Sequence, residues 1–364
     1  MPFDLAKLVR PEIAEMDAYT PILPFDVLSK RLGRLPDEIV KLDANENPYG
    51  PSPRIYEALA HERYYHIYPD PGNSMLREAL SRYLSIGTSH IMVGHGADEL
   101  IDLIMRLLIQ PGDAVIDCPP TFGMYSFDAA LNGGQLMNIS RTSDFSVDIG
   151  AIESTVAERS NVKLLFLTCP NNPDGSALSD EELERLLELP IAVILDEAYV
   201  EFHGISRVDW VMDHGNLIVL RTFSKWAGLA GLRVGYGVFP EAIMPQLWKI
   251  KQPYNVNAAG TVAALESLND AEHLMGTVGK IVEERERLHR ELTGLGFLLP
   301  YPSQANFILC RVVDRDARQL KLDLEGKGIL VRYFSKPGLT DHIRISVGRP
   351  DQTDALLTAL RELS

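Results

Sequence analysis

Cysteine is scarce: Cys118, Cys169 and Cys310 are the only three in 364 residues, and they lie far apart. That spacing excludes a disulfide framework and the paired-cysteine pattern of a zinc site, and it points to a reducing compartment, the cytoplasm. We expect no metal. Positive charge is also short. There are 35 Lys and Arg against 50 Asp and Glu, a formal net charge of −15. A chain this acidic is a poor partner for nucleic acid or an anionic membrane surface. Long apolar runs are missing: nothing approaches the ~20 residues that span a bilayer. Met1–Arg10 scatters charges where a secretory signal would carry an apolar stretch. Neither a fixed-period repeat nor a low-complexity tract is present.

What is there reads as a globular chain of ordinary composition, 46% hydrophobic and 23% charged. Its length exceeds one ordinary core and predicts two domains. Residues 1–40 are punctuated by prolines, with one helical pattern near Phe25–Leu32, and read as an arm that packs on something else and contributes to the small domain and to dimer contacts. Residues 41–255 alternate short apolar strands with helices. Strands are predicted at His90–Val93, Ala114–Asp117, Gln135–Ile139, Lys163–Thr168, Ile191–Leu195 and Leu217–Leu220. That alternation implies an α/β fold with a mostly parallel sheet covered on both faces. Ser179 is the predicted cap of a helix over Asp180–Glu188. Residues 256–364 change character and predict a smaller α+β domain that includes a long charged helix from about Glu272 to Leu295.

In a parallel sheet, ligands bind beyond the carboxyl ends of the strands. Polar or glycine-rich turns stand at five such ends: Gly94–Asp98, Pro119–Phe122, Asn171–Gly175, Asp196–Tyr199 and Ser224–Lys225. The last belongs to VLRTFSKWAGLAGLRVGYG (Val219–Gly237), where an apolar run leads into Thr222, Ser224 and Lys225, and Arg233 follows among small residues. Lysine is almost never fully buried. One delivered by a strand into such company is a candidate nucleophile, since a desolvated amine can form a Schiff base. Asp196, at a buried strand end, is either a helix cap or a carboxylate that keeps a heterocyclic nitrogen protonated. Tyr199, three residues on, reaches the same ligand if the turn is helical. Asn172 offers an amide to a ring oxygen, and Phe122 a face for stacking. The turn at Gly96, Ala97 and Asp98 aims backbone amides at an anion. Glu99 stands where a dinucleotide fingerprint needs glycine, so a phosphate monoester fits better than a pyrophosphate. Thr222, Ser224 and Arg233 add charge-assisted donors. Together these residues meet the needs of a phosphorylated pyridine aldehyde.

The stretches LDANENPYGPSP, YPDPGNSMLREAL, GHGADELIDLI, PGDAVIDCPPTFGMY, CPNNPDG, ILDEAYVEF, RTFSKWAGLAGLRVGYG and HIRISVG resemble, in order and spacing, the fold-type I aminotransferases that use pyridoxal 5′-phosphate. Specifically, they resemble the histidinol-phosphate aminotransferase branch, and the resemblance spans nearly the whole chain. It implies a homodimer with shared active sites, in which Tyr68 reaches the cofactor phosphate of the neighbouring subunit. It implies that Lys225 holds the cofactor and moves protons, that Asp196 holds the pyridinium, and that Tyr199 and Asn172 bind the ring oxygen. Phe122 would stack, and Gly96, Ala97, Asp98, Thr222, Ser224 and Arg233 would cradle the phosphate. Arg344 would bind the anionic end of the amino donor, assisted by Arg332, with Tyr19 and Asn45 lining the side-chain pocket. Asp174 stands where the family commonly has Thr, adding negative charge near the site. The expected reaction is ping-pong amino transfer between a donor, histidinol phosphate or an aromatic amino acid, and 2-oxoglutarate. A lyase of the same scaffold, such as a threonine-phosphate decarboxylase, would keep Lys225, Asp196 and Arg233. A cofactor-binding effector domain would need an output module, and the first 40 residues carry no basic helix-turn-helix pattern.

Overall fold

The computed structural model describes residues 4–16 and 23–363, the Glu12 side chain excepted. Among them the strands are, in chain order, β1 (Val40–Leu42), β2 (Ile91–Gly94), β3 (Ala114–Asp117), β4 (Gln135–Asn138), β5 (Val162–Thr168), β6 (Ala192–Asp196), β7 (Leu217–Thr222), β8 (Gly235–Val238), β9 (Leu298–Pro300), β10 (Phe307–Val312), β11 (Ile329–Tyr333) and β12 (His342–Ser346). Seven form one sheet, in the order β2-β8-β7-β6-β5-β3-β4, and the other five form a second, β1-β11-β12-β10-β9.

The large sheet is mostly parallel, as its apolar strands predict. Neighbours from β7 through β4 run the same way, and β8 alone opposes both of its partners. Strand residues alternate between faces, and each face has its own core. Val193, Leu195, Leu217 and Val219 join Ile91 and Leu165 on one side. Ile194, Ile218 and Leu220 join Phe166 and the helix residues Leu100, Ile101 and Ile104 on the other. Ser179 caps the helix Asp180–Leu187 in a reciprocal box with Glu182.

Strand β8 overlaps the end of the motif Val219–Gly237 and was not expected, because glycine is a poor strand residue. Here glycine is obligatory. A Cβ on Gly235 would lie 2.5 Å from Ala97 N and 2.6 Å from the Gly96 carbonyl carbon. The strand therefore runs hard against the first turn of the helix Gly96–Leu108.

The small sheet borrows from the N-terminal segment: β1 pairs in parallel with β11, and Leu28 of the helix Phe25–Leu32 packs with Ile39 and Leu330. The chain does not change cores at the expected boundary of 255. Ala263 and Ala264 of the helix Ala258–Asn269 lie in the large sheet's core, as do Leu274, Val278 and Ile281 of the next helix, Ala271–Thr293. Only its C-terminal half, Leu288 and Leu292, enters the small sheet's core. The long charged segment foretold the helix. It could not say which core receives each end.

Candidate active site

The carboxyl ends of β3, β5, β6 and β7 face the β11–β12 pair across a cleft of about 1760 Å³. Strand β7 ends at Thr222. The chain turns there because the Ser224 N–H donates to Thr222 Oγ1 at 3.1 Å, while the Thr222 hydroxyl donates to Ser224 Oγ at 2.9 Å. That turn delivers Lys225, whose Nζ donates to Ala44 O at 3.4 Å and lies 5.8 Å from the centroid of the Tyr199 ring.

Asp196 ends β6 and is 3% exposed. Its Oδ2 accepts from the Tyr125 hydroxyl at 2.7 Å and its Oδ1 from the Ala198 N–H at 3.0 Å. Burial pushes its carboxyl up to about 6, and the bonds from Tyr125 and Ala198 hold the rise back. A carboxylate kept this dry favours a cationic partner such as a protonated ring nitrogen. Tyr199 is half of a second pair, its hydroxyl accepting from Asn45 Nδ2 at 3.0 Å.

An anion cradle lies at the same edge. The first amides of the helix Gly96–Leu108, those of Gly96, Ala97 and Asp98, have no acceptor within the helix and carry the positive end of its dipole. Arg233 joins them, donating to Asp98 Oδ2 at 2.8 Å and to Ser224 Oγ at 3.4 Å. Its backbone is left-handed, φ 55°, a strain that persists where surrounding structure demands it. Gly96 lies behind the guanidinium instead of on the cleft wall; a Cβ there would come within 2.5 Å of Arg233 Nη2. Helix amides, two hydroxyls and a guanidinium converge as one phosphate group requires. Phe122 borders the cleft with its ring edge-on to Tyr125, centroids 5.6 Å apart. Buried carboxylate, lysine, aromatic ring and cradle together fit a flat, singly phosphorylated heterocyclic aldehyde.

On the opposite wall Arg332 and Arg344 face each other across β11 and β12. The Arg344 Nη1 donates to Asn172 Oδ1 and its Nη2 to Asp43 O at 2.9 Å. Both guanidiniums flank the Phe334 ring, at 5.8 Å and 5.6 Å from its centroid.

Two singled-out residues stand apart, and a third borders the cleft without being free to meet a ligand. Tyr19 lies outside the described residues. Tyr68 is 79% exposed, away from the cleft wall, and stacks on Tyr254 at 4.7 Å. Asn45, expected to touch substrate, lines the cleft but is 1% exposed and engaged with Tyr199 and Ser346. The charge of Asp174 is taken up inside its own turn, where it accepts from the Ser176 N–H at 2.8 Å and from the Asn171 side chain. Sequence reasoning missed Tyr125, although it sits in one of the motif stretches. A tyrosine in an apolar helix gives no sign that its hydroxyl meets a carboxylate 71 positions away.

Residues 37–360 match the family Aminotransferase class I and II. The histidinol-phosphate aminotransferase of Roseiflexus castenholzii is 53% identical, covering 100% of both chains. The chloroplastic histidinol-phosphate aminotransferase 1 of Arabidopsis thaliana is 52% identical, over 97% of this chain and 85% of its own. The crystal structure of histidinol-phosphate aminotransferase from Sinorhizobium meliloti in complex with pyridoxal 5′-phosphate has a TM-score of 0.88 at 29% identity, covering 98% of each chain. On fold, motifs and relatives alike, the chain belongs to the class I and II aminotransferases, in their histidinol-phosphate aminotransferase family.

Proposed function

We propose that this aminotransferase transfers the amino group of histidinol phosphate to 2-oxoglutarate, with pyridoxal 5′-phosphate in the cleft and a second copy of the chain completing the site. The observation that carries the substrate reading is Arg332 opposite Arg344 on the cleft wall. Like charges set directly opposite one another destabilise a sheet, so a pair retained there speaks for an anion that both can reach. The donor's phosphate would take that place in one half-reaction and a carboxylate of glutamate or 2-oxoglutarate in the other. The names of the relatives support the same pair of substrates.

When bound, pyridoxal 5′-phosphate supplies an electron-accepting ring that acidifies the carbon bearing the amino group. Asp196 would keep the ring nitrogen protonated, Tyr199 and Asn172 would bind the ring oxygen, and Phe122 would stack. Ala97, Asp98, Thr222, Ser224 and Arg233 would hold the phosphate, with Gly96 opening the turn behind them. Lys225 Nζ, which reaches into the cleft, would be the group that takes up and returns the proton there. We assign the exposed Tyr68 to the partner subunit's site. We place the enzyme in the cytoplasm: the three cysteines are free, and among the described residues no helix is long and apolar enough to cross a membrane.

The test supplies purified enzyme and cofactor with histidinol phosphate and 2-oxoglutarate and quantifies glutamate. A kcat/KM higher for histidinol phosphate than for phenylalanine or tyrosine is expected. Preference for an aromatic donor, or carbon dioxide released from phosphothreonine without glutamate formation, overturns the proposal.

A further inference from the structure

Behind the cleft, on the other face of the large sheet, lies a buried charged frame whose side chains do not line the cleft. Successive strand residues point to opposite faces. Asp196 and Thr222 turn to the cleft, so their neighbours Glu197 and Arg221 turn away. These two are 1% and 6% exposed. Arg221 Nε donates to Glu197 Oε2 at 2.9 Å, and its Nη2 donates to Ser206 Oγ. The Ser206 hydroxyl donates to the same glutamate oxygen at 2.8 Å, and the Arg207 N–H donates to Glu197 Oε1 at 2.7 Å. The Arg207 guanidinium continues to Leu178 O at 3.0 Å and Asp180 Oδ1 at 2.7 Å, just past the turn that carries Asn172. The frame thus runs behind the ends of β7 and β6 and the segment that leaves β5.

Such a pair contributes little to stability, because desolvating both charges offsets their attraction. It does hold a geometry. The β6–β7 register ends at Asp196 opposite Leu220, with one further backbone bond from Glu197 N to Leu220 O at 2.8 Å. Past that point Arg221 and Thr222 pair with β8. The side-chain bond between Arg221 and Glu197 is what continues the tie from β7 to β6.

We propose that Arg221 and Glu197 are positioning residues. They set the spacing between the Asp196 carboxylate and the cradle at Thr222, Ser224 and Arg233, and so the fit of a ligand that must reach both. The inference rests on the cofactor reading above.

Two variants separate positioning from stability. Arg221→Lys keeps the charge and loses the fork that reaches Glu197 and Ser206. Arg221→Met combined with Glu197→Gln removes both charges together and leaves an amide oxygen for the Arg207 N–H; Glu201, also beside Arg221 and pushed up to about 7 by burial, is held protonated more firmly once the guanidinium is gone, and removing a buried pair as a unit is often neutral for stability. Three quantities are measured: affinity of cofactor-free protein for pyridoxal 5′-phosphate by tryptophan fluorescence, the pH midpoint of the bound cofactor's visible band, and melting of the cofactor-free protein. Affinity should fall roughly 10-fold or more, the range for residues that orient ligands, with a shifted pH midpoint and with melting of the double variant near wild type. Folded variants with wild-type affinity and midpoint overturn the proposal. So does failure of both variants to fold, which would make the pair a stability element. Wild-type protein that binds no cofactor sinks the cofactor reading itself, a separate outcome.

Discussion

Asp196 shows how much one residue depends on where the chain puts it. An exposed aspartate ionises near 4; burial pushes this one up to about 6. Between those values the native state binds more protons than the unfolded chain, so stability falls as pH rises through the interval. The effect is on the order of 3 kcal/mol at full ionisation. Asp117, also pushed up to about 6 by burial, titrates over the same range, so the contribution of Asp196 is read as a difference. Melting of cofactor-free wild type should drop between pH 4 and pH 6, and Asp196→Asn, neutral throughout, should flatten that slope. An unchanged slope in the variant would show that Asp196 is ionised well below this range. A cation placed beside the carboxylate reverses the balance, which is why burying it favours a protonated ring nitrogen and disfavours an empty site.

At the scale of elements, the site depends on how closely two of them approach. Strand β8 presses on the first turn of the helix Gly96–Leu108, and the helix amides then face Arg233. Gly235→Ala would drive a methyl group into backbone that cannot swing aside. It should cost about 1–3 kcal/mol, as overpacking does, and weaken cofactor binding as well. Gly231, with nothing within 4 Å of its would-be Cβ, is the control. Denaturant unfolding of both variants checks the contrast: equal destabilisation would mean that the close approach is not the cause.

At the scale of the whole molecule, the cleft opens between two sheets while one aromatic surface stays bare. Tyr56, Tyr64, Tyr65, Ile67 and Tyr68 are all exposed on it. Patches of this kind mark interaction surfaces, and the partner we propose is a second copy. Subunits carrying Tyr68→Ala and subunits carrying Lys225→Ala should each be inactive alone. Mixed and allowed to exchange, they should recover ~25% of wild-type activity, since half the dimers would be mixed and each would hold one intact site. Proven exchange without recovery would place Tyr68 outside the partner's site.

The sequence by itself determined the fold class, because apolar strands alternating with helices leave a covered parallel sheet as the packing solution. It also singled out residues whose chemistry is local, Lys225 with its hydroxyls and the helix-start amides, whereas the pairing of Arg332 with Arg344 belongs to the folded sheet. Only the tertiary structure decided what those residues touch. Tyr125 becomes a partner of Asp196 and Asn45 a partner of Tyr199, contacts between segments far apart in the chain that no local pattern encodes. The same holds for the helix Ala271–Thr293, whose buried face is periodic, with Glu284 and Arg285 at its middle, while its two halves enter different cores. Periodicity says which face is buried. Which surface buries it is settled only when the rest of the chain has folded around it.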